Sequence, residues 1–206
     1  MILTTSYLPP VQYISKFVSG SPLIEIHENY QKQSYRNRCC IYGANGVQSL
    51  VIPVKKTHFQ KMPIGEVEID YATNWQRVHC KAIESAYRLS PFYEYYADEL
   101  ETVIQQPTVR LIELNTQLLK LLFSWIGLTT PVKFTEDWTP VTDPDYRKII
   151  QPKSDLRDES FHPVPYQQAF SERYGFRPNL SIIDLLFNEG PETLSILQKC
   201  FPAKSR

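Results

Sequence analysis

The chain has 206 residues, of which 42% are hydrophobic, and this length is enough to bury one full core. Its 22 Lys and Arg residues balance its 22 Asp and Glu residues, so the formal net charge is zero. This balance excludes general nucleic-acid binding, which needs a clear excess of basic residues. Any site for an anion must therefore be local.

The start of the sequence lacks the pattern of a secretory signal, and no apolar run is long enough to span a bilayer. We therefore expect a cytoplasmic protein without a membrane span. The cysteines form no CxxC pair and the histidines are scattered, so we expect reduced thiols and no metal site. A nucleophilic Cys40 is an alternative, because Arg36 and Arg38 lie close in sequence and could lower its pKa.

The first third of the chain predicts a βαβ unit. Residues 2–6 form a β-prone run, Pro10 can begin a helix that ends at Gly20, and residues 23–27 form a second strand. The two strands of such a unit are normally parallel, and ligands bind at the carboxyl ends of parallel strands.

A hairpin is predicted next, because the Asn-Gly pair at 45–46 separates two β-prone segments, residues 39–42 and 47–54. We expect it to extend the sheet. Residues 55–63 form a basic loop, and the alternation of apolar and charged residues over 64–69 predicts another strand.

The remainder of the chain is predicted to be mostly helical. Apolar residues at helical spacing begin near Asn74, Ser90 and Pro107, and the third of these helices ends at Gly127. A short strand over 131–134 and a loop or lid over 136–165 follow. The last helices are predicted over residues 166–173, over 182–187, and from Pro191 to about Cys200.

The predicted fold class is therefore α/β. It has an N-terminal βαβ unit with a β-hairpin extension of the sheet, a cover of several helices, and a helical C-terminal part. We expect a single domain over residues 1–206, with the loop or lid at 136–165.

Polar side chains are concentrated in residues 24–38, where a short apolar run opens into a polar segment. Lys32, Arg36 and Arg38 suit the binding of a phosphate or carboxylate. The alternative is that these charges are solvated or pair with Glu25 and Glu28. The other candidate substrate-binding residues are Tyr7, Gln12, Asn29, Ser34, Asn37 and Trp75.

His27 and His79 are the candidate proton-transfer groups, because imidazole titrates near neutral pH. His27 lies where the second strand should end. His79 lies on an apolar helix face with Trp75, and a histidine there can equally be a hydrogen-bonded core residue. The sequence has no glycine-rich phosphate loop and no GxSxG or HExxH motif, so it names no reaction.

Several motifs in order resemble the WbqC-like protein family, and the similarity runs nearly end to end. They are YLPPVQY at 7–13, ENYQKQSYRNRC at 28–39, GANGVQSLVIPV at 43–54, NW at 74–75, HCKAIESAYRLSPFYEYY at 79–96 and PNLSIIDLLFNEGPE at 178–192. The family's pattern of a lysine, a serine and an Asn-x-basic turn matches Lys32, Ser34, Asn37 and Arg38. Its Trp and His match Trp75 and His79.

The resemblance implies a bacterial protein linked to surface-polysaccharide gene clusters. Relatives carry an acidic residue in place of His27, which shifts the preferred catalytic residues toward Lys32, Arg38 and His79. The order of the first elements is also similar to that of adenylate-forming nucleotidyltransferases, but the paired histidines of those enzymes are missing from residues 7–13.

Two functions follow as hypotheses. The first is an enzyme of surface-polysaccharide or sugar-nucleotide metabolism that transfers an acyl, aminoacyl or nucleotidyl group to or from an anionic or sugar-linked substrate. The second is a non-catalytic binding or scaffold protein of the same system, in which the polar segment is an internal network. The sequence does not identify a cofactor.

Overall fold

The computed structural model describes residues 1–55, 62–141 and 145–201. Most of the predicted basic loop, residues 56–61, and three residues of the predicted lid, 142–144, lie outside the described residues. The predicted α/β class is confirmed: an N-terminal parallel sheet and a β-hairpin sheet are combined with helices that dominate the C-terminal part.

The parallel sheet contains β1 (Ile2–Thr4), β2 (Leu23–Glu25) and β5 (Lys133–Phe134), in the order β1-β2-β5. Helix α1 (Val11–Ser19) connects the first two strands, so the predicted βαβ unit is present. Leu3 pairs with Ile24, and Ile24 pairs with Phe134 in the same direction. All three strands therefore end at the same edge of the sheet.

The hairpin pairs β3 (Arg38–Gly43) with β4 (Gly46–Val51). Within the described residues it forms a separate two-stranded sheet and does not continue the parallel one. Helix α2 (Trp75–Tyr87) packs against β3, and the Tyr87 hydroxyl accepts a hydrogen bond from the backbone of Tyr42 at 2.9 Å. A backbone N–H of β3 is thus bonded by a side chain, and in the described residues the hairpin has no third strand.

Helices α3 (Tyr93–Gln105) and α4 (Leu111–Ile126) follow α2. Helix α4 buries an apolar face in the core and ends at Gly127, whose φ of 78° is the left-handed conformation that glycine adopts without strain. The chain ends in α5 (Tyr146–Ile149), α6 (Ser171–Tyr174), α7 (Ile182–Glu189) and α8 (Thr193–Cys200). Helix α1 packs against α7 and α8, which joins the two ends of the chain.

Two local predictions are wrong. Residues 64–66 form a 3-10 helix where a strand was predicted, because Ile64 and Val67 are three residues apart and both are buried. In the predicted helix over 166–173, only residues from Ser171 onward are helical. The side chain of Gln168 bonds both backbone groups of Arg177, and such bonds compete with a helix.

Candidate functional site

The carboxyl edge of the parallel sheet carries a cluster of buried polar side chains. Thr4 ends β1, Glu25 ends β2, and Thr135 directly follows β5, and all three are buried. Ligands of parallel sheets bind at this edge. The carboxyl edge is therefore the candidate location of a ligand site.

Glu25 is fully buried, and both of its carboxylate oxygens accept hydrogen bonds. One carboxylate oxygen accepts hydrogen bonds from the His27 backbone at 2.8 Å and the Thr135 hydroxyl at 2.9 Å, and the other accepts one from the Thr139 backbone at 2.7 Å. Burial alone would raise the pKa of Glu25, but these bonds and the charge of Arg147 outweigh it and lower the pKa below its usual value. Glu25 is therefore a stable carboxylate.

Arg147, on α5, is the cation beside Glu25, with Nη1 at 3.7 Å from the Glu25 carboxylate. Its Nε donates to Asp145 at 2.9 Å, and its two terminal nitrogens donate to the carbonyls of Thr139 and Pro140 at 2.8 and 3.2 Å. The pair with Asp145 raises the pKa of Arg147. This guanidinium fixes the segment after β5 against the end of β2.

Glu28 and Arg36 form a second buried ion pair at the same edge. Arg36 Nε donates to Glu28 at 3.0 Å, and Nη2 lies 2.7 Å from the second carboxylate oxygen. The Thr4 hydroxyl also donates to Glu28. Arg36 is fully buried, yet its Nη1 has no hydrogen-bond partner among the described residues. An unpaired buried donor is costly, and a ligand would remove that cost.

Asn115 connects this pair to the helical layer. It lies on the buried face of α4, and its Nδ2 donates to the Thr5 hydroxyl at 3.1 Å and to the Arg36 carbonyl at 2.8 Å. Its Oδ1 has no partner within the described part of the chain. The cluster thus offers one donor, on Arg36, and one acceptor, on Asn115, that remain unused.

His79 lies in the core beside this edge, and it is 3% exposed. Its Nδ1 is 2.9 Å from the Tyr7 hydroxyl, and its ring contacts Trp75 with centroids 5.1 Å apart. Burial lowers the pKa of His79 to about 4, against a hydrogen bond to the Val51 backbone that acts in the opposite direction. The imidazole is therefore neutral at pH 7.

The other predicted site residues differ in their exposure and are of three kinds. His27, Asn29 and Lys32 are exposed near the edge. Three others are buried and used internally: Gln12 bonds Asn179 and Asp158, Ser34 donates to the Gln31 carbonyl, and Asn37 donates to the Ile52 carbonyl. Arg38 is half-buried, and its Nε has no partner among the residues described.

A second polar junction fixes residues 158–160 on α1. Lys16 is fully buried, pairs with Asp158, and donates to Ser160 at 2.8 Å. Its ammonium also lies 4.6 Å from the ring centroids of Tyr146 and Phe201. Burial lowers the pKa of Lys16, opposed by the hydrogen bond and charge of Asp158. The predicted lid is thus attached to the body at both Glu25 and Lys16.

The four cysteines are free thiols, and in the described residues no group of three or more His, Cys, Asp or Glu side chains could hold a metal ion. Burial raises the pKa of Cys39 well above its usual value, which leaves it a neutral thiol. Cys40 is partly exposed, and its sulfur lies 3.7 Å from the Ser49 hydroxyl. None of the helices in the described ranges is long and apolar enough to cross a membrane.

The sequence profile of the WbqC-like protein family matches residues 5–162 and 153–196. The chain belongs to the WbqC-like protein family. This confirms the resemblance read from the motifs. A similar protein is the uncharacterized protein Rv1507c of Mycobacterium tuberculosis, 25% identical over 219 residues that cover 94% of this chain and 92% of the relative. No solved structure matches the chain significantly.

Sequence reasoning missed four residues of this WbqC-like site. Asn115 gave a detectable signal, because it is a polar residue on an otherwise apolar helix face. Arg147 and Asp158 gave none, since they lie in a segment without periodicity, and Glu25 and Gln12, which they contact, are more than a hundred residues away. Lys16 looked like an ordinary charge of an amphipathic helix.

Proposed function

We propose that this WbqC-like protein is a transferase of bacterial surface-polysaccharide or sugar-nucleotide metabolism. It would move an acyl, aminoacyl or nucleotidyl group and bind the anionic part of a sugar-linked substrate at the carboxyl edge. The supporting observation is the fully buried Arg36 at that edge, whose Nη1 lacks a hydrogen-bond partner among the described residues. A guanidinium donor is well suited to a phosphate or carboxylate oxygen.

Three further residues of the polar segment, the exposed Lys32 and His27 and the half-buried Arg38, complete the proposal. Lys32 and Arg38 add positive charge near the edge and would meet the anion before it reaches Arg36. His27 is exposed directly after β2, and its backbone N–H donates to Glu25. Its side chain would exchange a proton with the substrate. His79, buried and neutral at pH 7, would hold Tyr7 in place.

The alternative is a binding or scaffold protein without catalysis. The observation that favours it is the mutual pairing of the buried charges: Glu25 with Arg147, and Glu28 with Arg36. Such pairs can serve only to fix a unique fold. On this alternative, removing the charge of Lys32 or of the half-buried Arg38 does not change the binding of any anionic ligand.

A thermal-shift screen tests the proposal. The full chain is heated with nucleotides, nucleotide sugars, acyl-thioesters or amino acids, and a ligand that binds the folded state raises the Tm. We expect an anionic ligand to raise the Tm of the wild type but not of Lys32→Ala or Arg38→Ala. The exposed Lys120→Ala and Arg77→Ala serve as matched controls and should keep the shift.

Two results would count against the transferase. If the ligand raises the Tm of Lys32→Ala and Arg38→Ala as much as that of the wild type, the anion binds at another place. A screen in which no ligand class raises the wild-type Tm would favour the scaffold alternative. A positive ligand is then incubated with an acceptor sugar, and product formation by mass spectrometry separates catalysis from binding.

A further inference from the structure

A groove with a volume of about 650 Å³ lies along β5 and the residues that follow it. It adjoins the buried cluster at the sheet edge, because Thr135 and Thr139 line the groove and also bond Glu25. A molecule in this groove would therefore lie beside the proposed site while remaining in contact with solvent.

Two aromatic rings are presented in the groove. Trp138 is 58% exposed and Phe134 is 38% exposed. A tryptophan side chain usually buries most of its surface, so an exposed indole in a concave site is a candidate contact for a ligand. Thr139 and Thr135, bonded to Glu25, fix the backbone on either side of Trp138.

The charge of the groove is negative. Glu136 and Asp137 line it and are exposed, and neither forms an ion pair in the described parts of the chain. Lys133 is the basic residue of the lining. The formal charge of these three side chains is minus one, so the groove disfavours a phosphate or carboxylate.

We propose that this groove binds the ammonium group of an amine-bearing ligand. A cation is attracted to the face of an indole, and the two carboxylates add Coulomb attraction. The inference rests on the proposed function in one respect: it gives the sugar-linked substrate a cationic amino group, with its anionic part at Arg36. The groove and the buried cluster would then recognise opposite charges of one substrate.

Titration calorimetry of the full chain with simple sugars tests the groove directly. The probes are glucosamine, glucose, N-acetylglucosamine and glucose 6-phosphate, which differ in charge but share one ring. We expect glucosamine to bind at least about tenfold more tightly than the neutral sugars, and glucose 6-phosphate not to bind in the groove. In NMR spectra, glucosamine should shift the indole N–H signal of Trp138.

Matched variants assign the binding to the groove. Trp138→Leu, and separately the pair Glu136→Gln with Asp137→Asn, should each weaken glucosamine binding by about fivefold or more. The control variants are Tyr95→Leu, and the pair Glu94→Gln with Asp98→Asn, all on exposed positions of α3. These controls should bind glucosamine as the wild type does.

The proposal is overturned if glucosamine does not bind, if glucose binds equally well, or if the groove variants retain full affinity. These failures are distinct from failure of the transferase proposal. If a nucleotide sugar stabilises the wild type and Trp138→Leu equally and glucosamine does not bind, only the groove proposal fails. If glucosamine binds and no anionic ligand does, the groove proposal stands and the proposed anion site fails.

Discussion

Protonation of His79 should destabilise the fold, and the size of the effect follows from its burial. The pKa of an imidazole in the unfolded chain is about 6.5, and the buried His79 has a pKa of about 4. Between these values the unfolded state binds more protons, so stability is present above pH 6.5 and is lost as the pH falls toward 4. The loss from this group alone amounts to about 2 kcal/mol at pH 5 and about 3 kcal/mol at pH 4.

Urea denaturation of the wild type and of His79→Gln at pH 7 and pH 5 measures this loss. Glutamine does not titrate, so the decrease in unfolding free energy from pH 7 to pH 5 should be smaller in the variant by about 2 kcal/mol. Comparing the two proteins cancels the contribution of carboxylates such as Glu25, which titrate in both.

The ring signals of His79 provide a direct measurement. In NMR spectra they should titrate near pH 4. A midpoint near 6.5 for His79, together with identical pH dependence of the two proteins, would refute the argument from burial. His79 would then be accessible to solvent and a stronger candidate for a general base.

Three further predictions concern the packing around the site. Arg36→Met should lower the unfolding free energy by about 3–5 kcal/mol in urea denaturation. The double variant with Glu28→Gln should lose less than the sum of the two single losses. The control is the exposed pair Lys55–Glu68, where Lys55→Met should lower the unfolding free energy far less than Arg36→Met does. Lys16→Met should speed proteolytic cleavage within residues 153–162, because Asp158 loses its buried partner; an unchanged cleavage rate would show that the ion pair does not hold this segment. Gly190→Ala should lower the unfolding free energy by more than about 2 kcal/mol, because the new Cβ would lie 2.5 Å from the Phe92 ring. Gly127→Ala, with open space around the new Cβ, should lower it by about 1 kcal/mol. Equal losses of unfolding free energy in the two variants would contradict the clash.

The sequence predicted those parts of the fold that local chemistry determines. Pro10 and Gly20 bracket α1, Gly127 ends α4, and Asn-Gly forms the turn of the hairpin. It did not predict that the hairpin would form its own sheet, because the surroundings of a strand depend on residues distant in sequence, such as Tyr87, whose hydroxyl bonds the Tyr42 backbone. The turn chemistry is local, whereas the neighbours of a strand are not.

The site was predictable in part for the same reason. The run of charged residues after β2 predicted a polar site, and the rule for parallel strands predicted that this site lies at the carboxyl edge of the sheet. The partners of its charges were not visible: Glu28 pairs with a residue eight positions away, but Glu25 uses Thr139 and Arg147. Whether the unused donor of Arg36 meets a ligand remains a prediction.

The bonds that complete the site also determine when it can form. Glu25 and Thr139 are separated by 114 residues, Thr5 and Asn115 by 110, and Gln12 and Asn179 by 167. Contacts between such distant residues slow folding, because long loops must close before they contribute. During synthesis, β1 and β2 leave the ribosome long before β5 and α5 exist. The buried charges therefore meet late, and the unfinished sheet is the stage at which this chain is most exposed to aggregation.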